Sequence, residues 1–339
     1  MKDRIVYLDA VKGFAIILVV MGHVIQYSFQ STSFLYHSIY SFHMPLFFFV
    51  SGLLSKKWDL VPKDSFFSET FKFILSKVRS LIIPLVVVGS LFIIYMGQTF
   101  QWFWFNQYKG GYWFLFTLFE CQIVLLFFAI ISNLINKKKR IWIDVSFISI
   151  ILLALKVISV LKLIPTDIDN LLGFGIFNHH VLFMFFGLIL VKYNFVIHFL
   201  TSNVLYAFVF IAFVVNIFLF NKLNFNIPYY WDLFQGLCGA VLFTAFFYRL
   251  SDNFKFKNQL VSLGKRSLEI YIFHYFFIFS FILPQIGAFL RSNNSGVLEL
   301  TLVVFFSISI IFISLSVGTI ISQGNYLRFI ILGKKDKIV

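Results

Sequence analysis

Charge is scarce in this chain: 12% of its 339 residues are Asp, Glu, Lys or Arg, against 60% hydrophobic residues and a mean hydropathy of +0.90. That balance lies far outside the makeup of a soluble domain and excludes water as the main solvent. Cysteine is scarcer still. Cys121 and Cys238 are the only two; both sit in apolar runs, far from any CxxC-type spacing, so neither a disulfide framework nor a metal site is expected. Internal repeats and low-complexity linkers are missing as well. The longest stretch between apolar runs, residues 56–79, is too short to fold alone, and any chemistry is expected inside one domain covering 1–339.

What is present is a series of apolar runs of about 20 residues, the length a helix needs to cross the hydrocarbon core. Ten are read, at about 8–29, 37–55, 80–97, 112–132, 143–163, 176–191, 203–220, 232–249, 268–290 and 298–322. A transmembrane barrel would alternate polar and apolar residues over about ten positions, whereas Ser307 to Val317 carries no charge and keeps an unbroken apolar stretch from Ile310 to Ile313. The expectation is therefore an all-α, polytopic transmembrane bundle. The first run has a basic flank, but it is longer than a signal-peptide core and no small-residue cleavage site follows, so it is expected to remain. Fifty phenylalanines make aromatic stripes better explained as lipid-facing bulk than as binding sites.

The formal net charge of +14 raises nucleic acid as a partner, and the positions of the cations argue against it. With the N-terminus placed in the cytoplasm, 23 of the 28 basic residues fall on inner segments. Lys109, Lys222 and Arg291 lie outside, and Lys156 and Lys162 lie within the fifth run. This is the positive-inside pattern. The basic excess then reflects topology and anionic headgroups, with both termini cytoplasmic and no nucleic-acid partner.

Ionisable groups inside a span are costly, so each one implies a partner or a function. Lys12 and His23 are eleven positions apart, which on a helix is about 20° in azimuth and ~16 Å in rise. Arg4 and Asp9 precede them, and Asp9 can pair with Lys12 at i, i+3. Lys12 alone reads equally as a snorkelling anchor. His23 can simply bond a neighbouring helix, or it can accept and return a proton as a general base. His43 enters the second run at a similar depth, with the same two readings. Pro45, Ser51 and Gly52, which follow it, need only structural roles.

Lys77, Arg79 and Pro84 open the third run on the cytoplasmic side, as topogenic charge or as a docking point for an anion. Glu120 lies mid-span, where a carboxylate must be protonated, paired or functional. His179 and His180 start the sixth run, as structural, interfacial or binding residues. Lys265, Arg266, Glu269 and His274 cluster at the start of the ninth, where a helix N-terminus beside cations suits a phosphate.

In order and depth these strings resemble the acyltransferase-3 family of integral membrane acyltransferases, many of which O-acetylate bacterial surface glycans. The N-terminal pattern of an arginine, an aspartate, then Arg or Lys separated by ten residues from a histidine matches Arg4, Asp9, Lys12 and His23. FF-x-SG matches Phe48, Phe49, Ser51 and Gly52, and a loose basic-basic-Pro signature matches Lys77, Arg79 and Pro84. YWFL at Tyr112 to Leu115, HHVLFMFFG at His179 to Gly187 and LGKRSLEIYIFH at Leu263 to His274 are similar to later signatures.

The resemblance implies a multi-pass enzyme of the bacterial cytoplasmic membrane. Its donor would be a cytoplasmic acyl-CoA, acetyl-CoA above all, and its acceptor a hydroxyl of a cell-surface glycan or a lipid-linked precursor. His23, His43 and Glu120 are then expected at the chemistry. Arg4, Lys12, Arg79, Lys265, Arg266 and His274 are expected around the coenzyme, and Trp113, His179 and His180 around the acceptor. His23 would deprotonate the hydroxyl or carry the acyl group, with His43 orienting it or stabilising the oxyanion. The sequence contains no hydrolase-like soluble domain of the kind some members carry, so transfer is expected to finish in the membrane or at its outer face. The rival classes are a transporter or flippase for a lipid-linked sugar or small anion and a glycan polymerase, which would be expected to use larger outer loops.

Overall fold

The computed structural model describes residues 6–55, 66–135, 140–223, 229–250, 254–293 and 295–334. They form helices, and no strand occurs among them. In chain order these are α1 Val6–His23, α2 Phe34–Tyr40, α3 His43–Leu53, α4 Phe66–Lys77, α5 Ile83–Tyr95, α6 Phe100–Trp104, α7 Trp113–Ile135, α8 Ile141–Val160 and α9 Thr166–Leu172. There follow α10 Phe174–Lys192, α11 Val196–Thr201, α12 Asn203–Leu223, α13 Tyr229–Arg249, α14 Lys257–Lys265, α15 Ser267–Ser280, α16 Pro284–Asn293, α17 Gly296–Ile321 and α18 Asn325–Leu332. Single π-turns extend α1 (Val24–Ser28) and join α4 to α5 (Val78–Ile82).

Among the described residues seven helices are long and apolar enough to cross a membrane, or eight if the bent pair α15 and α16 counts as one span. Ten were expected, and the difference has local causes. The second run divides into α2 and an 11-residue α3, too short for the ~30 Å core. The apolar part of α12, Asn203–Leu219, is also short. The ninth run breaks by 84° between Ser280 and Pro284, where proline sets the first turn of a new helix instead of continuing the old one.

Backbone contacts gather the chain into two compact units, Met1–Val50 with Val196–Ile320, and Ser51–Phe195 with Ile321–Val339. In the first, α1 is the central element, buried along most of its length, and glycines let α14 lie against it almost backbone to backbone. A Cβ on Gly13 would meet the Leu260 carbonyl oxygen at 1.9 Å, and one on Gly264 would meet that of Asp9 at 1.8 Å. Small residues permit such an approach between helices that share a hydrocarbon solvent. Past the break, the Leu283 amide donates to the Ser28 carbonyl at 2.7 Å, tying α16 to the end of α1. By contrast α17 leaves much of its apolar surface exposed, a face that requires lipid around it.

In the second unit Gly52 has the same function as Gly13, its missing Cβ making room for the Met184 carbonyl of α10. Three helices of this unit meet at a buried polar knot that the sequence reading did not single out. Asp144 of α8 pairs with Lys192 of α10 at 2.6 Å, accepts from Ser132 of α7 at 2.6 Å, and accepts from the Tyr193 hydroxyl at 2.8 Å. The two charged side chains are 1% and 7% exposed. Removing one partner strands the other charge away from water, so Asp144→Ala is expected to cost about 3–5 kcal/mol. Asp144→Leu combined with Lys192→Met should recover most of that. Unfolding of the purified variants in lipid checks it, and a single variant as stable as the parent would show that the knot contributes nothing.

Candidate functional site

His23 ends the regular part of α1, where the backbone widens into the π-turn, a distortion common at functional sites. Its Nδ1 lies 2.9 Å from Nε2 of His274 on α15, and the two ring planes are 10° apart. Its other nitrogen, Nε2, lies 3.2 Å from the Tyr275 hydroxyl oxygen, within hydrogen-bond distance. Nδ1 of His274 faces two carbonyl oxygens of its own helix, Tyr271 at 2.6 Å and Ile270 at 3.1 Å. Both histidines are buried, His274 wholly so.

Around them stand Tyr27 and Tyr40, with ring centroids 5.6 and 6.2 Å from that of His23. Tyr40 donates to Gln26 and packs edge-on against His43 at 4.9 Å. His43 is within electrostatic reach of His23. Its Nδ1 donates to the Ile39 carbonyl at 2.8 Å, which leaves its Nε2 as an acceptor in the neutral ring. In that form the Nε2 of His43 can accept a hydrogen bond but cannot donate one.

The expected coenzyme-binding residues separate into groups. The close packing of α1 on α14 puts Lys12, Lys265 and Arg266 at one end of the first unit. Lys12 pairs with Asp9 at 2.7 Å and remains partly exposed, and Lys265 is exposed. Arg266 is held by buried Glu269 at 2.6 Å, the Leu315 carbonyl and the Thr319 hydroxyl, both at 2.8 Å, which fastens α15 to α17. Gly318 leaves room for the Glu269 carboxylate. Arg79, on the π-turn of the second unit, donates to the Gly333 carbonyl at 3.1 Å. His274 lies in the histidine cluster and not among these cations. Arg4 lies outside the described residues.

Trp113, Glu120, His179 and His180 all lie in the second unit. Trp113 opens α7 and its ring packs on His180 at 5.0 Å, with His179 at 4.8 Å from the same imidazole. His180 Nδ1 donates to the Ile176 carbonyl at 2.8 Å. Glu120, two turns after Trp113, keeps a buried Oε2 without a hydrogen-bond partner among the described residues. Its charge acts on Lys109, which is fully buried and adopts a left-handed backbone at φ 47. The Lys109 ammonium donates to the carbonyls of Trp104, Asn106 and Asn170 at 2.9, 3.2 and 3.0 Å and lies over the Phe116 ring. Burial pushes it down to about 8, with Glu120 working in the opposite direction.

Lys109, Tyr275, Tyr40 and Gln26 are the parts of these clusters that sequence reasoning passed over. Lys109 was counted only as a loop charge, and tyrosines are inconspicuous in a chain so rich in aromatics. Tyr275 alone had a signal, since it adjoins His274. Among the described residues no group of three or more His, Cys, Asp and Glu is placed to hold a metal ion.

A family model described as an acyltransferase domain matches residues 5–319, nearly the whole chain and all of the clusters above. The chain belongs to the acyltransferase-3 family. It is thus a multi-pass membrane acyltransferase. No curated protein matches it, and no solved structure does. The family assignment covers both the His23 cluster and the Lys109–Glu120 cluster, so the second can be tested independently of the first. Lys109→Met and Glu120→Gln should each lower stability, and together by less than the sum, with a coupling of about 0.5–3 kcal/mol. A double-mutant cycle on unfolding in lipid measures this; strict additivity would mean that the two groups do not act on each other.

Proposed function

We propose that this acyltransferase moves an acyl group, acetyl in the first instance, from acyl-CoA at the cytoplasmic side of a bacterial cytoplasmic membrane to a hydroxyl of a cell-surface glycan or its lipid-linked precursor. The observation that carries the reading is His23: a buried imidazole on the central helix, with Nδ1 held by a second histidine and Nε2 presented to a hydroxyl. That is the arrangement a general base for O-acylation requires. Lys12 and Lys265, at the other end of the same helix packing, supply positive charge for coenzyme phosphates.

In this mechanism the acceptor hydroxyl takes the place of the Tyr275 hydroxyl at His23 Nε2 and gives up its proton there as its oxygen attacks the thioester carbonyl. The carbon–sulfur bond then breaks, and the thiolate recovers the proton from His23. Tyr275, a donor by nature, is suited to stabilise the oxyanion between these steps. Within the second unit, Trp113 with His179 and His180 beside it forms an aromatic face with ring nitrogens of the kind that binds sugars. The broken span α15–α16 is a device that transporters also use, and it keeps translocation of a lipid-linked sugar or anion as the second reading.

The test is transfer or hydrolysis of radiolabelled acetyl-CoA by the purified chain in lipid. His23→Ala is expected to lower turnover roughly 10²–10⁴-fold, whereas Lys12→Ala should raise KM for the donor with little change in kcat. An undiminished His23→Ala enzyme would remove His23 from the chemistry. Vesicles that move a labelled lipid-linked sugar while consuming no thioester would favour translocation.

A further inference from the structure

We infer that His274 is the positioning residue that makes His23 a base, fixing its tautomer and taking a share of its charge; this rests on the acyl-transfer reading above. The argument is a matter of counting protons. A carbonyl oxygen can only accept, so the contacts of His274 Nδ1 with Tyr271 and Ile270, at 2.6 and 3.1 Å, place a hydrogen on that nitrogen. A neutral imidazole carries one N–H. His274 Nε2 therefore presents a lone pair to His23, and the 2.9 Å contact requires His23 Nδ1 to be the donor. His23 Nε2 is then left as the lone pair, and it is the nitrogen that faces the Tyr275 hydroxyl. One proton on each ring satisfies all four of these contacts.

The same geometry provides for the charged state. When Nε2 of His23 takes the hydroxyl proton, the ring gains a positive charge while its Nδ1–H still points at His274. The Nδ1 proton can shift along that hydrogen bond, after which His274 is the cation, held by two backbone carbonyls. When the thiolate leaves, the Nε2 proton goes to sulfur, the Nδ1 proton returns, and both rings are neutral again. His274 thus does with helix carbonyls what a carboxylate does in a Ser-His-Asp triad, holding the base in the correct tautomer and stabilising the imidazolium. The carbonyls are three and four residues before His274 on α15, so the helix carries its own acceptors to the site.

Nitrogen-15 spectra of the full chain in lipid, labelled at histidine and assigned by loss of signal in His23→Asn, read the tautomer directly. His23 should be protonated at Nδ1, and should lose that preference in His274→Phe. A His23 ring protonated at Nε2, or one indifferent to His274→Phe, would overturn the inference. Kinetics give a second readout on acetyl-CoA. His274→Phe should lower kcat roughly 100-fold or more without changing KM, while His274→Gln, whose side-chain oxygen can still accept from Nδ1, should stay within about tenfold of the parent. Equal losses in two folded variants, or losses in KM, would assign His274 to packing or donor binding and sink the proposal. If the parent consumes no thioester at all, it is the acyl-transfer reading that fails, and the nitrogen spectra still decide the dyad.

Discussion

Hydrocarbon offers a buried charge no water, and much of this protein's polar architecture follows from that constraint. Asp9 meets Lys12 and Glu269 meets Arg266, each pair three residues apart on one helix. Asp144 and Lys192 come from different helices and recruit two hydroxyls as well. Lys109 is satisfied by carbonyls instead of a carboxylate. The histidine cluster differs in kind, because its ring nitrogens meet one another, a hydroxyl and backbone carbonyls and no formally charged side chain.

Close helix contact is the second requirement, since lipid gives helices little hydrophobic reason to associate. Gly13 and Gly264 bring α1 and α14 together, and the missing Cβ of Gly52 makes room for the Met184 carbonyl. The first of these contacts holds α1, the helix that carries both Lys12 and His23. The break after Ser280 then anchors its far side to the end of α1 through Ser28 and Gly287, so α15 presents His274 and Tyr275 from a tethered position.

Much of the fold was legible because its signals are local. Apolar runs of sufficient length, with few charges, leave little but helix in a membrane, and Lys12 and His23 were readable as one face from the helical period alone. The division of the second run into α2 and α3 and the bend in the ninth were not legible, since hydropathy does not register where a backbone turns. His43 and His23 were expected at a similar depth, and they lie within electrostatic reach of each other with Tyr40 packed on both rings.

Composition, periodicity and the order of motifs by themselves determined the helical class, the membrane solvent and the family, because each depends on the chain's own side chains at short range. Tertiary structure alone decided that His274, 251 residues from His23, meets that histidine and not the cations beside it in sequence. It alone decided that Arg266 is held by Glu269 and α17, and that Lys109 is buried near Glu120. Those pairings depend on which helices pack together, and hydrogen bonds between distant residues leave no period in a sequence.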